Sequence, residues 1–213
     1  MARRPLAAIT ASLYSTTTVS ATTKPLSAAQ RALIDSVLRV DQAGEIGANT
    51  IYQGQLAVLG RDPALRPVLE HMRDQEVVHL DAFNRLIPQW RARPSLLTPV
   101  WHAAGFAVGA ASAALGKEGA MALTDAVETV IGEHYNDQVR KLVAILDEPG
   151  NENLERREEL LELVETLKKF RDEELDHRTI ALEHNAAGAP GAAILKPLLM
   201  TGCRAVIEVA KRV

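Results

Sequence analysis

The sequence predicts an all-α fold, a four-helix bundle carrying two additional apolar helices. Three observations lead there. The chain has 213 residues, of which 47% are hydrophobic but only 4% aromatic. Its core must therefore be Leu, Val, Ile and Ala, and Ala and Leu are strong helix formers. Apolar residues recur at alternating steps of three and four, the spacing of a buried helical stripe. No segment shows the β-branched alternation of a strand. One domain of this length can fill its own core.

The elements follow in order. Residues 1–34 contain no Asp or Glu, yet carry Arg3, Arg4, Lys24 and Arg31 among many hydroxyls, as in Ser15-Thr16-Thr17-Thr18. That is the composition of a mitochondrial transit peptide, and Leu6-Ala7-Ala8-Ile9 is too short an apolar run for a secretory signal. Residues 1–26 are assigned to such a leader or to a disordered tail, and 27–213 to the folded domain. Ser27 caps a first helix that runs to about Gly60. Asp62-Pro63 starts a second, reaching about Ile87 before Pro88. Residues 100–116 form a third, very apolar segment. A fourth spans Lys117 to Leu146, a fifth Asn151 to His184, and a last follows Gly191 to the C-terminus.

Four of these helices carry matched stripes. The second presents Leu65, Leu69, Met72, Glu76, His79, Phe83 and Leu86. The fifth presents Leu160, Leu163, Leu167, Phe170, Glu174, His177 and Ala181. Each is apolar except for one Glu-x-x-His pair. The first helix places Leu38, Glu45, Tyr52 and Leu59 seven apart, and the fourth does the same with Met121, Glu128, Tyr135 and Leu142. The chain thus duplicates a helix pair that contributes one Glu, then Glu-x-x-His. Ala43, Gly44, Gly47 and Ala48 flank Glu45, and a helical glycine costs about 1 kcal/mol. Close approach of a neighbouring backbone is the expected reason.

Four carboxylates and two imidazoles are therefore expected in one core. Isolated ionised carboxylates there are very unfavourable, and no Lys or Arg occupies the stripes. Two divalent cations would balance the charge. Four Glu with two Glu-x-x-His arms is the ligand set of a di-iron or di-manganese carboxylate bundle. In its usual geometry Glu76 and Glu174 bridge, Glu45 and Glu128 are terminal, and His79 and His177 serve one metal each. The only cysteine, Cys203, excludes a disulfide framework, a Cys-ligated zinc and an iron–sulfur cluster within this chain. A net charge of −3 gives no support to nucleic-acid binding.

Two residues are candidates for supporting the ligands from outside. Asp41, one turn before Glu45, is placed to orient a ligand His from another helix, or is an ordinary polar helix position. Tyr135, like Tyr52, is a packed core tyrosine with a bonded hydroxyl, or a support or electron relay for the metals. His134 and His184 read as partly exposed histidines.

The runs Arg39-Val40-Asp41-Gln42-Ala43-Gly44-Glu45, Asp74-Gln75-Glu76-Val77-Val78-His79, Gly116-Lys117-Glu118-Gly119-Ala120-Met121-Ala122 and Lys169-Phe170-Arg171-Asp172-Glu173-Glu174-Leu175-Asp176-His177 resemble the demethoxyubiquinone hydroxylase family. The resemblance covers about residues 33–213. It implies a ferritin-like di-iron bundle, with the six residues above as ligands of two iron ions. It implies O2-dependent ring hydroxylation of demethoxyubiquinol in ubiquinone biosynthesis, with NADH as reductant. It also implies peripheral association with the matrix side of the mitochondrial inner membrane, a ubiquinone-synthesis complex and a lipid-binding accessory protein. A homo-oligomer is compatible with it.

Between Arg93 and Lys117 lie 23 uncharged residues. The length could span a bilayer, but Pro99 and His102 interrupt it and Ala and Gly dominate. A helix at a membrane surface or lining an apolar entry is expected instead, with Gly105 and Gly109 packing closely on a neighbour. The last helix mixes Ile194, Leu195, Leu198 and Leu199 with Lys196 and Arg204, a pattern that suits an interfacial helix or an ordinary packed one. The competing functions are a ferritin-like iron oxidase or storage protein, and a scaffold bundle without metal.

Overall fold

The computed structural model describes residues 23–213. The expected leader lies outside them, apart from its last four residues. Of those four only Leu26 is buried in the core; Thr23, Lys24 and Pro25 are exposed, although the backbone of Lys24 pairs with Asn153 and Glu155.

Six α-helices form the body: α1 (Ala28–Leu59), α2 (Arg66–Trp90), α3 (Thr98–Ala114), α4 (Lys117–Asp147), α5 (Arg157–Glu183) and α6 (Ala192–Ala210), with a 3₁₀ turn at Ala186–Gly188. Among the described residues there is no strand, only an isolated bridge between Lys24 and Leu154. Helices α1 and α2 pack as one hairpin and α4 and α5 as another, while α3 lies on α1 and α6 on α4. The result is the expected ferritin-like four-helix arrangement with two added helices.

The expected stripes are what the bundle buries. Leu69, Met72 and Phe83 of α2, Leu160, Leu163 and Leu167 of α5, Leu38 of α1, and Met121 and Leu142 of α4 are wholly or almost wholly buried. Leu59 and Leu86, at stripe ends, are only half-buried. Ser27 closes a capping box with Gln30, so two orphan amides at the start of α1 are satisfied.

Two helix starts and one stop differ from the sequence expectation. Asp62 does not begin α2. Its Oδ1 accepts from the amides of Ala64 and Leu65, which holds a separate turn, and the helix begins at Arg66 with Pro67 in its first turn. Pro88 does not end α2 either; the helix runs to Trp90 and stops where Arg91 turns left-handed at φ 54°. A proline in the last turn frees only the carbonyl of Asn84, an exposed residue that water can reach. Helix α5 starts at Arg157 rather than Asn151, because Asn151 is diverted. Its Nδ2 donates to the Ile145 carbonyl at 2.7 Å, closing the end of α4.

Close backbone approach occurs between α1 and α3, but not at Gly44. A Cβ on Gly109 would lie 2.1 Å from the Ile51 carbonyl oxygen, one on Gly54 2.2 Å from that of Phe106, and one on Gly105 2.7 Å from that of Gly47. A Cβ on Gly44 would meet nothing within 4 Å. Gly109→Ala is therefore expected to lower stability by about 1–3 kcal/mol through overpacking, read as a shifted midpoint in urea. An unchanged midpoint would show that the α1–α3 crossing can open at no cost.

Helix α6 is pinned by charge. Asp125 of α4 accepts from Lys196 Nζ at 2.6 Å and Arg178 Nε at 3.1 Å, joining α4, α5 and α6. Arg39, buried on α1, donates to the Ala210 and Lys211 carbonyls at the end of α6. No helix of the described residues is long and apolar enough to cross a membrane.

Candidate metal centre

The stripes converge at mid-bundle. Glu45, Glu76, His79, Glu128, Glu174 and His177 are all buried, between 0% and 3% exposed. Glu45, Glu76, His79 and Glu174 can each bring one ligand atom within 4.8 Å of the others, and so can Glu76, Glu128, Glu174 and His177. Glu76 and Glu174 belong to both groups. Ions placed at both groups would have these two carboxylates in common.

The imidazoles face the carboxylates through Nδ1. His79 Nδ1 lies 3.2 Å from Glu174 Oε1 and 3.5 Å from Glu45 Oε2, and His177 Nδ1 lies 3.1 Å from both Glu76 Oε1 and Glu174 Oε2. Their outer nitrogens are engaged across the bundle. His79 Nε2 donates to Glu173 Oε2 at 2.9 Å, and His177 Nε2 donates to Gln75 Oε1 at 3.0 Å. Both acceptors lack a proton to give, so each ring keeps its hydrogen on Nε2, and Nδ1, facing the carboxylates, is the nitrogen that would give up its proton and turn a lone pair to a metal. Sequence reasoning missed Glu173 and Gln75. They precede the stripe glutamates by one residue, and the available signal was their position four residues before each His on a half-buried flank.

The tyrosines cross over in the same way. Tyr135 of α4 donates to Glu45 Oε1 at 2.6 Å, and Tyr52 of α1 donates to Glu128 Oε1 at 3.1 Å. Each hydroxyl holds one carboxylate oxygen, leaving the second free. Burial, followed by the neighbouring carboxylates, raises both hydroxyls well above the usual phenol range, so they remain donors.

Asp41 does not orient a ligand histidine. It accepts from Gln138 Nε2 at 2.7 Å, and the imidazole near it is that of His134, 3.8 Å away. Asp41 sits on the side of α1 that meets α4, whereas the outer nitrogens of His79 and His177 are directed at α5 and α2. Burial pushes its carboxyl up. His134 is almost enclosed, and burial drives it down to about 4. His184 bonds the Ile180 carbonyl at the end of α5 and takes no part.

The donor set asks for cations. Glu45 Oε2, both oxygens of Glu76 and His79 Nδ1 are buried with no hydrogen-bond partner. Burial and then the neighbouring carboxylates push the Glu76 and Glu128 carboxyls well up. At His79 burial opposes charge, but the close approach and negative charge of Glu174 and Glu45 prevail and raise it to about 12. Glu174 goes the other way: burial opposes its charge, but His177 and His79 hold it down at about 2. Without a metal, protons must stand in for the missing cation. Metal loading at neutral pH is therefore expected to expel protons, and affinity is expected to strengthen as pH rises toward 8. Calorimetry in buffers of different ionisation enthalpy reads the release; a heat independent of buffer would contradict it.

A cavity of about 430 Å³ adjoins the cluster, walled by apolar residues of α1, α3, α4 and α6, including Trp101, Leu123 and Ile207. A smaller space of about 40 Å³ reaches Glu45, Glu76, Glu128 and Glu174. The two share Val40, Gly44, Ala48, Val127, Ile131 and Ile207 as walls. Val108, Leu198 and Val206 line the larger cavity and are also 44–66% exposed, so its mouth lies between α3 and α6 and is apolar.

The family model described as "Ubiquinone biosynthesis protein COQ7" matches residues 32–210. The human protein named NADPH-dependent 3-demethoxyubiquinone 3-hydroxylase, mitochondrial, is 51% identical over 182 residues, covering 85% of this chain and 79% of its own. The Saccharomyces cerevisiae 5-demethoxyubiquinone hydroxylase, mitochondrial, is 47% identical over 196 residues, covering 88% and 82%. The Rhodospirillum rubrum 3-demethoxyubiquinol 3-hydroxylase is 48% identical over 182 residues, covering 85% and 79%.

Proposed function

The chain belongs to the ubiquinone biosynthesis protein COQ7 family, and on that premise we propose that it is a mitochondrial di-iron monooxygenase that hydroxylates the ring of a demethoxyubiquinol. The observation that carries the reading is the opening of a metal-fitting carboxylate cluster onto an apolar cavity. An iron-storage site needs water and ions to reach it, not an apolar mouth.

Glu45, Glu76, His79 and Glu174 would hold one iron, and Glu76, Glu128, Glu174 and His177 the other. When bound, the pair supplies the electrons that activate O2. The balance is one ring C–H, O2, two electrons and two protons giving one ring C–OH and one water. The protein's own groups do the remaining work. Tyr135 and Tyr52 fix Glu45 and Glu128, so the terminal carboxylates keep their orientation. A flat ring would approach the cluster from the larger cavity past the shared walls at Val40, Gly44, Ala48, Val127, Ile131 and Ile207. The apolar lining excludes water and takes the start of a polyprenyl tail. The exposed apolar mouth between α3 and α6 favours entry from a membrane surface, with the protein peripheral to the inner membrane. The resemblance gives NADH as reductant, whereas the human relative is named for NADPH. A lipid-binding accessory protein and a synthesis complex belong to the same proposal.

The test is to reconstitute the protein with iron, measure its stoichiometry and follow demethoxyubiquinol conversion under oxygen. About two irons per chain and a hydroxylated ring are expected. Two irons without product would favour iron handling, and no bound metal would favour a scaffold.

A further inference from the structure

The bundle is nearly two-fold in its chemistry. Glu45 corresponds to Glu128, Tyr52 to Tyr135, Glu76 to Glu174 and His79 to His177, and the tyrosine and histidine bonds all cross between the repeated helix pairs. The symmetry fails at the outer partners of the two imidazoles. His79 donates to a carboxylate, Glu173, while His177 donates to a neutral amide, Gln75. A second difference falls on the same side. Four residues before Glu45 stands the acid Asp41, whereas four before Glu128 stands Thr124, whose buried hydroxyl has no partner.

Resting on the metal-centre reading above, we propose that the two metal positions are unequal, and that the position formed with Glu45 and His79 takes the first and more tightly held ion. The cause is the acceptor on His79. A carboxylate draws the Nε2 proton harder than an amide does, which leaves more electron density on Nδ1 and makes His79 the better donor. Glu173 also brings a charge that partly offsets that of a bound cation. Lys169 Nζ lies 3.7 Å from its other oxygen, Oε1, so the opposing cation is on the far side of the carboxylate from the imidazole. The charge argument rests on Glu173, because burial pushes Asp41 toward its neutral form. Glu173 and Gln75 act through the imidazoles and are positioning residues.

The experiment is an anaerobic titration of the metal-free full chain with manganese(II), followed by electron paramagnetic resonance and equilibrium affinity. An isolated ion gives one signal and a coupled pair another. The native chain is expected to show the isolated-ion signal up to one equivalent and the coupled signal beyond it. Glu173→Gln should weaken the first step about 10–100-fold and merge the two steps. Adding Gln75→Glu to that variant should restore two separated steps. His79→Ala should lose the tight step and His177→Ala should keep it, with helical content checked by circular dichroism for every variant. Two equal steps in the native chain, an unchanged first step in Glu173→Gln, or loss of the tight step in His177→Ala would each overturn the inference while leaving the hydroxylase reading intact. No manganese binding by the native chain would overturn the inference, and the iron reconstitution described above then decides the hydroxylase reading separately.

Discussion

Replacing Glu76 with methionine is expected to remove both metal ions and to raise the melting temperature of the metal-free chain. Both effects have one cause. Glu76 is fully buried, belongs to both ligand groups, and has neither oxygen satisfied by a hydrogen bond. Burial and the neighbouring Glu174, Glu45 and Glu128 push its carboxyl up, so the metal-free fold carries it at a cost. Methionine has similar volume and no charge to desolvate. Exchanging buried charged groups for well-packed apolar ones often stabilises by about 1–4 kcal/mol. The measurements are metal content after reconstitution and melting in excess chelator. A variant that kept two ions would refute the bridging role, and a lower metal-free melting temperature would refute the strain. Glu128→Ala makes the contrast. It belongs to one group only, so one ion should be lost and the other retained.

That trade between stability and function explains what the sequence could disclose. The helical stripes were legible because burial sorts residues by period, and a Glu or His placed mid-stripe stands out against Leu and Phe. All six ligand candidates therefore carried a signal in the chain itself. Glu173 and Gln75 carried a weak one. They lie beside the stripe on a polar flank, where Glu and Gln are ordinary, and only the packing of α2 against α5 across the site gives them a partner. Asp41 shows the opposite failure. Its place one turn before Glu45 was right for a supporting carboxylate, but rotation about the helix axis turns it toward Gln138 rather than toward a ligand imidazole. The helix ends at Asp62, Pro88 and Asn151 were missed because side-chain bonds specific to each loop, and solvent access to one freed carbonyl, overrode general capping preferences. The uncharged stretch before Lys117 pointed to a helix lining an apolar entry, and α3 does line the cavity, but the size and position of the cavity were not legible, since it is the space left between four helices.

Gly44 is where that space can be tested, and a graded pair of substitutions there is expected to separate stability from turnover. The glycine sits inside α1, beside Glu45, on the wall common to both cavities. A Cβ there would meet nothing within 4 Å, so alanine relieves the helical cost of glycine without a clash. Gly44→Ala is expected to gain about 1 kcal/mol and to keep its metals and most of its activity. Leucine is nearly as good a helix former, so Gly44→Leu should also fold and load metal. Its side chain, however, would occupy the passage that a quinol ring needs. A ring displaced by about 1 Å from its reacting position can lose on the order of 100-fold in rate, and that is the expected fall in hydroxylation for Gly44→Leu. Urea midpoints, metal content and turnover measured on both variants check the pair. Full turnover in the leucine variant would mean that the ring reaches the metals by another path. On this reading a glycine at this point would give up helix stability for an open way to the carboxylates, in the same sense that Glu76 would give up core stability for metal.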